Sequence, residues 1–273
     1  MSEDRLFSEF QGQYFVISGV ANRKSVATHV ARILEKEGSK LILTVESEEH
    51  LSKAQKMFPD AQIFVVNVED EKQVKDFGKR VEGLEISVNG FVHSLAFANY
   101  GHEIRPFHET QWEDFAQASH ISCYSLISMT RALRPSLSNA ASVVTVSISN
   151  TRATTYGYMG PIKAALDSSV AFLAKSLSYD SRARANAVCS GPLKTSASAG
   201  IPGYIDNYLY AEKLTLRKEA LKTAEVANTI LFLLSSQSSG INGTGLVVDA
   251  GMSCNYFDEE VVKSVTSDTK NLS

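Results

Sequence analysis

QYFVISGVANRKSVATHVARILEKEG, residues 13–38, is the stretch that decides the fold. A short β-branched and aromatic run is followed by a turn at Gly19 and then by an amphipathic segment that begins after Ser25. Gly19 permits a sharp turn, and Ser25 has the side chain of a good helix N-cap. The stretch therefore predicts a strand, a tight turn and a helix.

The same alternation continues along the chain and predicts a parallel sheet. Strands that are apolar on both faces and separated by helices are typical of parallel sheets covered on both sides. Further strand-like runs are KLILTV (40–45), QIFVVNV (62–68), SVNGFVHSLA (87–96), SVVTVS (142–147), ARANAVCS (183–190) and GLVVDAG (245–251). The fold class is therefore α/β, a Rossmann-type doubly wound parallel sheet of about seven strands with helices on both faces.

One domain, residues 1–256, accounts for this alternation, because no linker rich in Pro, Gly or Ser and no charge block interrupts it. Longer helices are expected at about 112–133 and 157–177. Both have apolar residues beyond a single core-facing stripe, which suits a subunit interface. Residues 257–273 are polar and lack periodicity, so we expect a C-terminal tail that frays.

Composition excludes several classes of partner. Lys plus Arg number 27 against 30 Asp plus Glu, so the net charge of -3 offers no basic surface for nucleic acid. No apolar run approaches the roughly 18 residues that span a membrane. Cys123, Cys189 and Cys254 are widely spaced, which fits a cytoplasmic location and predicts no disulfide framework and no metal site. His93, inside a strand, is expected to be buried and hydrogen-bonded rather than a ligand.

The turn after the first strand can hold a pyrophosphate. The amides and the positive dipole at the start of a helix suit an anion. The G-x-G-x-x-G string of dinucleotide sites is absent, so this turn by itself is equally compatible with a purely structural role.

Acidic residues after the second strand bear on the choice of cofactor. Glu46 can accept hydrogen bonds from adenosine ribose hydroxyls, whereas Glu46, Glu48 and Glu49 together would repel a 2′-phosphate. NADH is therefore expected in preference to NADPH. Glu48 and Glu49 also fit a simpler interpretation as solvated residues in the first turn of a helix, which leaves Glu46 as the candidate.

Tyr156 and Lys163 form the candidate catalytic pair. At about 100° per helical residue, their side chains fall within roughly 20° of each other, two turns apart. Tyr158 is offset from Lys163 by about 140°, which favours Tyr156. A lysine cation beside a phenol would lower a pKa that starts at about 10, and it can donate to ribose hydroxyls. The alternative is a surface tyrosine and a solvated lysine at the start of a helix.

Four motifs stand in order along the chain: GVANRKSVA (19–27), GFVHSLAFA (90–98), YGYMGPIKA (156–164) and SGPLKT (190–195). Together they resemble the bacterial NADH-dependent enoyl-acyl carrier protein reductases of the short-chain dehydrogenase/reductase superfamily. The resemblance runs from about Gln11 to Asp249. It implies an oxidoreductase of fatty acid biosynthesis that uses NADH to reduce the trans-2 double bond of enoyl thioesters on acyl carrier protein, and a homotetramer.

The resemblance also implies a role for each matching residue. Tyr156 and Lys163 would be catalytic, and Lys163 would hold the nicotinamide ribose. Residues 197–210 have the apolar and aromatic content of a lid over an acyl chain, or of an ordinary amphipathic helix against the core. The cofactor-binding set is Gly19, Ser25, Val26, Glu46, Asn67, Val68, Ser94, Leu95, Ala96, Lys163, Gly191, Pro192, Leu193, Thr195 and Ala197. The substrate-binding set is Ala98, Tyr156, Met159, Ile201 and Tyr204.

Departures from the family pattern keep two alternatives open. Ile148 follows Ser147 where relatives have a second tyrosine, and the loop before Tyr156 is about two residues shorter. Asn67 stands where relatives usually have aspartate. A short-chain carbonyl reductase is one alternative, although the six residues between Tyr156 and Lys163 speak against it. An NAD-binding paralogue with weakened catalysis and a regulatory role is the other.

Overall fold

The computed structural model describes residues 7–101, 103–195, 198 and 200–270. One seven-stranded sheet organises them, in the order β3-β2-β1-β4-β5-β6-β7 with every neighbouring pair parallel. This confirms the predicted doubly wound sheet. The strands are β1 Tyr14–Ser18, β2 Lys40–Val45, β3 Gln62–Val65, β4 Val88–His93, β5 Leu137–Ile148, β6 Arg184–Ser190 and β7 Gly245–Val248.

Helices connect these strands and cover both faces of the sheet. The long helix expected near 112–133 forms as α4 and α5 with a π-helical turn, His120–Tyr124, between them. The helices are α1 Val26–Lys36, α2 Glu48–Met57, α3 Glu71–Glu82, α4 Trp112–Ser119, α5 Ser125–Leu133, α6 Met159–Leu177, α7 Tyr204–Leu214, α8 Thr223–Leu234 and α9 Glu259–Lys270. None of these described helices is long and apolar enough to cross a membrane.

Alternate residues of each strand enter two separate cores. Phe15 and Ile17 of β1 pack with α1 and α8, whereas Val16 packs with α3, α5 and α6 on the opposite face. Both faces of β1 are therefore apolar, as the period of two in a strand requires when both sides are covered. His93 in β4 is fully buried and hydrogen-bonded, as predicted.

Residues 259–270 form α9, where the sequence predicts a tail that frays or is disordered. Asp258 stabilises the start of this helix, because its Oδ1 accepts hydrogen bonds from the amides of Glu260 and Val261, both at 3.1 Å. Lys218 and Asn255 bind the other oxygen of the same carboxylate. The Lys218 contact comes from a segment 40 residues away, which no local pattern could indicate.

Candidate active site

The carboxyl ends of β1 and β4 meet where the strand order changes direction. Gly19 follows β1 with φ +97°, and a Cβ placed there would lie 2.1 Å from the carbonyl oxygen of Ser94, which follows β4. The amide of Ser94 in turn donates to the carbonyl of Ser18 at 3.2 Å. The two backbones are thus in direct contact at the switch point, the place where doubly wound sheets bind ligands.

Ser25 caps α1, as predicted. Its Oγ accepts a hydrogen bond from the amide of Thr28 at 3.2 Å and donates to Thr28 Oγ1 at 2.9 Å. The side chain of Val26 is buried in the core on the α1 face. The backbone of Val26, and not its side chain, is therefore placed to meet a ligand at the positive end of the helix.

Glu46 lies exposed immediately after β2. Ser47 caps α2 by accepting from the amide of His50, and Glu48 and Glu49 occupy the first turn of that helix. The interpretation of Glu48 and Glu49 as solvated residues in the first turn of a helix is therefore confirmed. Glu46 is thereby the acidic side chain at the strand end itself.

Asn67 and Val68 follow β3, the strand next to β2. The amide of Asn67 donates to Gln73 Oε1 at 2.9 Å, and its Oδ1 accepts from the amide of Glu69 at 3.0 Å. Val68 is buried in the core. The Asn67 side chain therefore shapes its own turn, as short polar side chains do in turns.

A hydroxyl from the π-helical turn holds the segment after β4. Ser122 Oγ accepts from the amide of Phe97 at 3.0 Å and donates to the carbonyl of the same residue at 3.2 Å. Leu95 packs against the core, and Ala98 packs against an aromatic cluster that contains Tyr158. Ser122 is therefore a positioning residue that no spacing in the sequence indicates.

Lys163 is buried, with 3% of its surface exposed, and its Nζ donates to the carbonyl of Val146 near the end of β5 at 3.0 Å. The interpretation of a solvated lysine is therefore wrong. Burial lowers the pKa of Lys163 to about 8, and the carboxylate of Asp167, one turn further along α6, opposes that shift. Burial raises the pKa of Asp167 in turn.

His93 lies close to this lysine but is neutral. Its ring nitrogens bond to Thr145 Oγ1 at 2.8 Å and to Ser125 Oγ at 2.7 Å. Burial first, and then the Lys163 cation, lower its pKa to about 3. Burial also raises the pKa of Cys189 to about 12. Lys163, with a pKa of about 8, thus carries a positive charge near neutral pH, whereas His93 and Cys189 are neutral there.

Tyr156 lies outside the helix in which the sequence places it. It ends a 3₁₀ turn, Thr154–Tyr156, and α6 begins at Met159 rather than near Gly157. Gly157 breaks the helical path with φ +60° and ψ −146°. Tyr156 and Lys163 therefore do not share one face of a helix, and the prediction from helical rotation that favoured Tyr156 over Tyr158 is wrong.

The two tyrosines nevertheless have different environments. The hydroxyl of Tyr158 donates to the carbonyl of Asn99 at 2.8 Å, so it is committed to the backbone. Burial, followed by the neighbouring Tyr204, raises the pKa of Tyr156 to about 12. The expectation that Lys163 would lower this pKa is wrong, because burial dominates. Tyr156 is consequently a neutral phenol at neutral pH and can donate a hydrogen bond.

The loop after β6 carries the next group of candidate residues. Gly191 donates to the carbonyl of Val248 at 2.9 Å, and Pro192 and Leu193 follow. The Tyr204 hydroxyl accepts from the Leu193 amide and donates to the Leu193 carbonyl, both at 2.9 Å. Nearby, Ser198 Oγ accepts from the amide of Thr195 at 2.9 Å. Ala197, predicted to bind cofactor, lies outside the described residues.

Ile201 and α7 contain the rest of the predicted lid. Ile201 packs against the aromatic cluster that also contacts Tyr156 and includes the buried Met159. Within α7, all of which is described, Ala211 is the buried residue, whereas Ile205 and Leu209 are about half exposed. The less exposed residues of α7, Tyr204, Tyr208 and Ala211, recur at helical spacing on one face, so the structure leaves both the lid and the ordinary amphipathic helix open.

The residues present fit a dinucleotide. The contact between Gly19 and Ser94 leaves no room for a side chain, so the backbone can approach a ligand closely. A helix amino terminus and a buried ammonium group lie at the same sheet edge. In the ranges 7–101, 103–195 and 200–270, no group of three His, Cys, Asp or Glu side chains could hold a metal ion.

Comparison with known proteins decides the family. The sequence profile described as enoyl-(acyl carrier protein) reductase matches residues 19–253. The chain belongs to this family. Its reductase fold is shared closely by a crystal structure of the enoyl-(acyl-carrier-protein) reductase (NADH) from Aquifex aeolicus, with a TM-score of 0.84 and 29% identity, over 89% of this chain and 97% of the other.

Some curated relatives of this reductase are named for NADH and others for NADPH. An enoyl-(acyl-carrier-protein) reductase (NADH) from Nostoc is 31% identical over 248 residues, which cover 88% of this chain and 96% of the relative. An enoyl-(acyl-carrier-protein) reductase (NADPH) from Staphylococcus aureus is 30% identical over the same shares. Similarity to relatives therefore does not choose between NADH and NADPH.

Three residues near the reductase site escaped sequence reasoning. Asp167 sits four residues after Lys163, a spacing that could have indicated the contact. Ser122 and Tyr100 act on residues that lie 25 and 56 positions away. Only the folded sheet brings those segments together.

Proposed function

We propose that this chain reduces the trans-2 double bond of enoyl thioesters carried by acyl carrier protein, in fatty acid biosynthesis. The observation that carries the proposal is the partly buried, neutral phenol of Tyr156, which follows β5, together with the buried ammonium of Lys163 near the carboxyl end of the same strand. The cofactor is a nicotinamide dinucleotide. It supplies hydride when it is bound.

In this proposal the protein stabilises charge that develops on the substrate. Reduction at the β-carbon places negative charge on the thioester oxygen, and Tyr156 would donate a hydrogen bond to that oxygen. A donor that strengthens as charge develops lowers the barrier more than it strengthens ground-state binding. Lys163 would hold the nicotinamide ribose. Gly19, Ser25 and Val26 would contact the pyrophosphate through backbone and hydroxyl groups.

The test is oxidation of NADH by the purified chain with crotonyl thioester, followed by the loss of NADH absorbance, with a panel of ketones in parallel. We expect turnover of the enoyl thioester and none of the ketones. Turnover of ketones alone would replace the proposal with a carbonyl reductase. Tight NADH binding without turnover of any enoyl thioester would favour the regulatory paralogue.

We further propose NADH as the preferred cofactor, on the basis of Glu46. Glu46→Gln removes one carboxylate from the edge of the ribose site, so the repulsion of a 2′-phosphate decreases. The ratio of kcat/KM for NADH over NADPH should fall by about tenfold. Glu49→Gln is the matched control, because Glu49 is paired with Lys53 at 2.6 Å. A wild-type enzyme that uses both cofactors equally would contradict this prediction.

Binding of NADH should weaken as the pH rises through about 8, the pKa of Lys163. Below that pH the lysine is charged and can donate to ribose hydroxyls. Above it the charge is lost, while His93 and Cys189 stay neutral throughout. The KM for NADH measured from pH 6.5 to 9.5 should therefore rise above about pH 8.

Asp167→Asn should move this rise to lower pH, because the carboxylate of Asp167 supports the charge on Lys163. Asp180→Asn is the control, since Asp180 pairs with Arg134 on the surface. A pH profile that is the same in wild type and Asp167→Asn would show that Asp167 does not affect Lys163.

A homotetramer is also proposed, with the groove between the α4–α5 unit and α6 as one interface. The groove is mostly apolar, and Tyr124 and Ile127 are partly exposed along it. Light scattering after size-exclusion chromatography should give four times the chain mass of 29.8 kDa. A monomer mass would contradict it. The cytoplasmic location stays a prediction that rests on the dispersed cysteines, which are free in the structure.

A further inference from the structure

Two buried tyrosines join the catalytic turn to the segment after β4 by reciprocal hydrogen bonds. The Tyr100 hydroxyl donates to the carbonyl oxygen of Tyr156 at 2.6 Å. The Tyr158 hydroxyl donates in the opposite direction, to the carbonyl oxygen of Asn99 at 2.8 Å. The centroids of the Tyr100 and Tyr158 rings are 5.0 Å apart, and the residues are 8% and 6% exposed. We call Tyr100 and Tyr158 the tyrosine pair.

The tyrosine pair contacts the turn that contains Tyr156, which lies outside α6. Tyr156 lies before α6 and is separated from it by a kink at Gly157. The helix therefore does not set the direction of the Tyr156 side chain. The local hydrogen bonds of this turn include those from the Tyr156 amide to the Ala153 carbonyl, from the Gly157 amide to the Thr154 carbonyl and from the Gly160 amide to the Gly157 carbonyl. Each of them spans three residues and none continues α6 toward Tyr156, so tertiary contacts help the turn to keep one geometry.

Packing at the kink restricts the same turn. A Cβ at Gly157 would approach Ile104 Cγ2 at 3.0 Å and the Tyr100 ring at 3.2 Å, so the two segments lie in close contact there. On the other side, the Asn99 side chain donates to Asp114 of α4 at 2.9 Å, which ties the carbonyl that receives Tyr158 to a helix. The tyrosine pair therefore connects Tyr156 to a fixed part of the protein.

We propose that Tyr100 and Tyr158 are positioning residues that set the direction of the Tyr156 side chain. They do so through its main chain, and they contact neither substrate nor cofactor. This inference rests on the proposed catalytic role of Tyr156. Burial also raises the pKa values of Tyr100 and Tyr158, so both hydroxyls remain donors throughout the pH range of an assay.

The test uses Tyr100→Phe and Tyr158→Phe, which remove one hydroxyl each and keep the rings. Each variant should lower kcat for crotonyl thioester by about tenfold, because small displacements of a catalytic group have large effects on rate. The KM for NADH should stay within about twofold, since the nucleotide-binding turn is elsewhere. Tyr179→Phe, which removes a hydroxyl from a ring that is 77% exposed, is the matched control and should match wild type.

Hydrogen exchange measured by mass spectrometry gives a second readout that does not depend on turnover. Peptides that cover residues 151–160 should exchange faster in both variants than in wild type and Tyr179→Phe. Unchanged exchange in both variants, or faster exchange with unchanged kcat, would overturn the proposal. If one variant fails to fold, the other decides. A wild-type chain without enoyl turnover would refute the proposed function, while the exchange data would still decide whether the pair holds the turn.

Discussion

Tyr156→Phe is expected to lower kcat for an enoyl thioester by about 100-fold to 1,000-fold, the usual effect of removing a donor to a developing oxyanion. The KM for NADH should change by less than about twofold, because the hydroxyl acts only when charge develops on the substrate. The pKa of about 12 implies that wild-type kcat shows no tyrosine ionisation between pH 6 and 9. Steady-state kinetics across this pH range measure all three quantities.

Two comparisons make this result specific to the hydroxyl of Tyr156. Tyr179→Phe should retain wild-type kcat, since that ring is exposed and lies 4.8 Å from the Lys175 ammonium. The thermal midpoint of Tyr156→Phe should remain close to that of wild type. A kcat within threefold of wild type would remove Tyr156 from the mechanism, and the site would then need another donor to the thioester oxygen.

Gly19→Ala is expected to abolish measurable NADH binding, with an affinity loss of more than about 100-fold. The new Cβ would lie 2.1 Å from the carbonyl oxygen of Ser94, so β1 and β4 must separate at their carboxyl ends. A positive φ adds strain of about 1–2 kcal/mol for any residue with a Cβ. The turn and the start of α1 would then no longer present their amides together. Fluorescence titration with NADH measures the loss.

Gly12→Ala is the control that introduces backbone strain at a positive φ without a steric contact. Gly12 also has a positive φ, +76°, but a Cβ there meets nothing within 4 Å. This variant should lose about 1 kcal/mol of stability and keep its affinity for NADH. If Gly19→Ala and Gly12→Ala behave alike in both stability and NADH affinity, the close approach of Gly19 to Ser94 has no part in cofactor binding.

The alternation of strands and helices, the cap at Ser25 and the helical position of Glu48 and Glu49 were all readable from the sequence. Each depends on residues within about one turn or one strand, and such local periodicity is written directly in the chain. The family motifs likewise identified Tyr156 and Lys163 as the candidate pair. Their catalytic roles remain predictions.

Tertiary structure alone decided how Tyr156 is held and what its charge state is. The sequence predicts a phenol activated by Lys163 on one helix, whereas the folded chain has a kink at Gly157 and a phenol whose pKa is raised by burial. Desolvation depends on every segment packed around a group. The bonds of Tyr100 and Tyr158 likewise span 56 and 59 residues. The local sequence pattern determined the helices and strands. The surroundings of Tyr156 were determined by the folded sheet, which brings distant segments together.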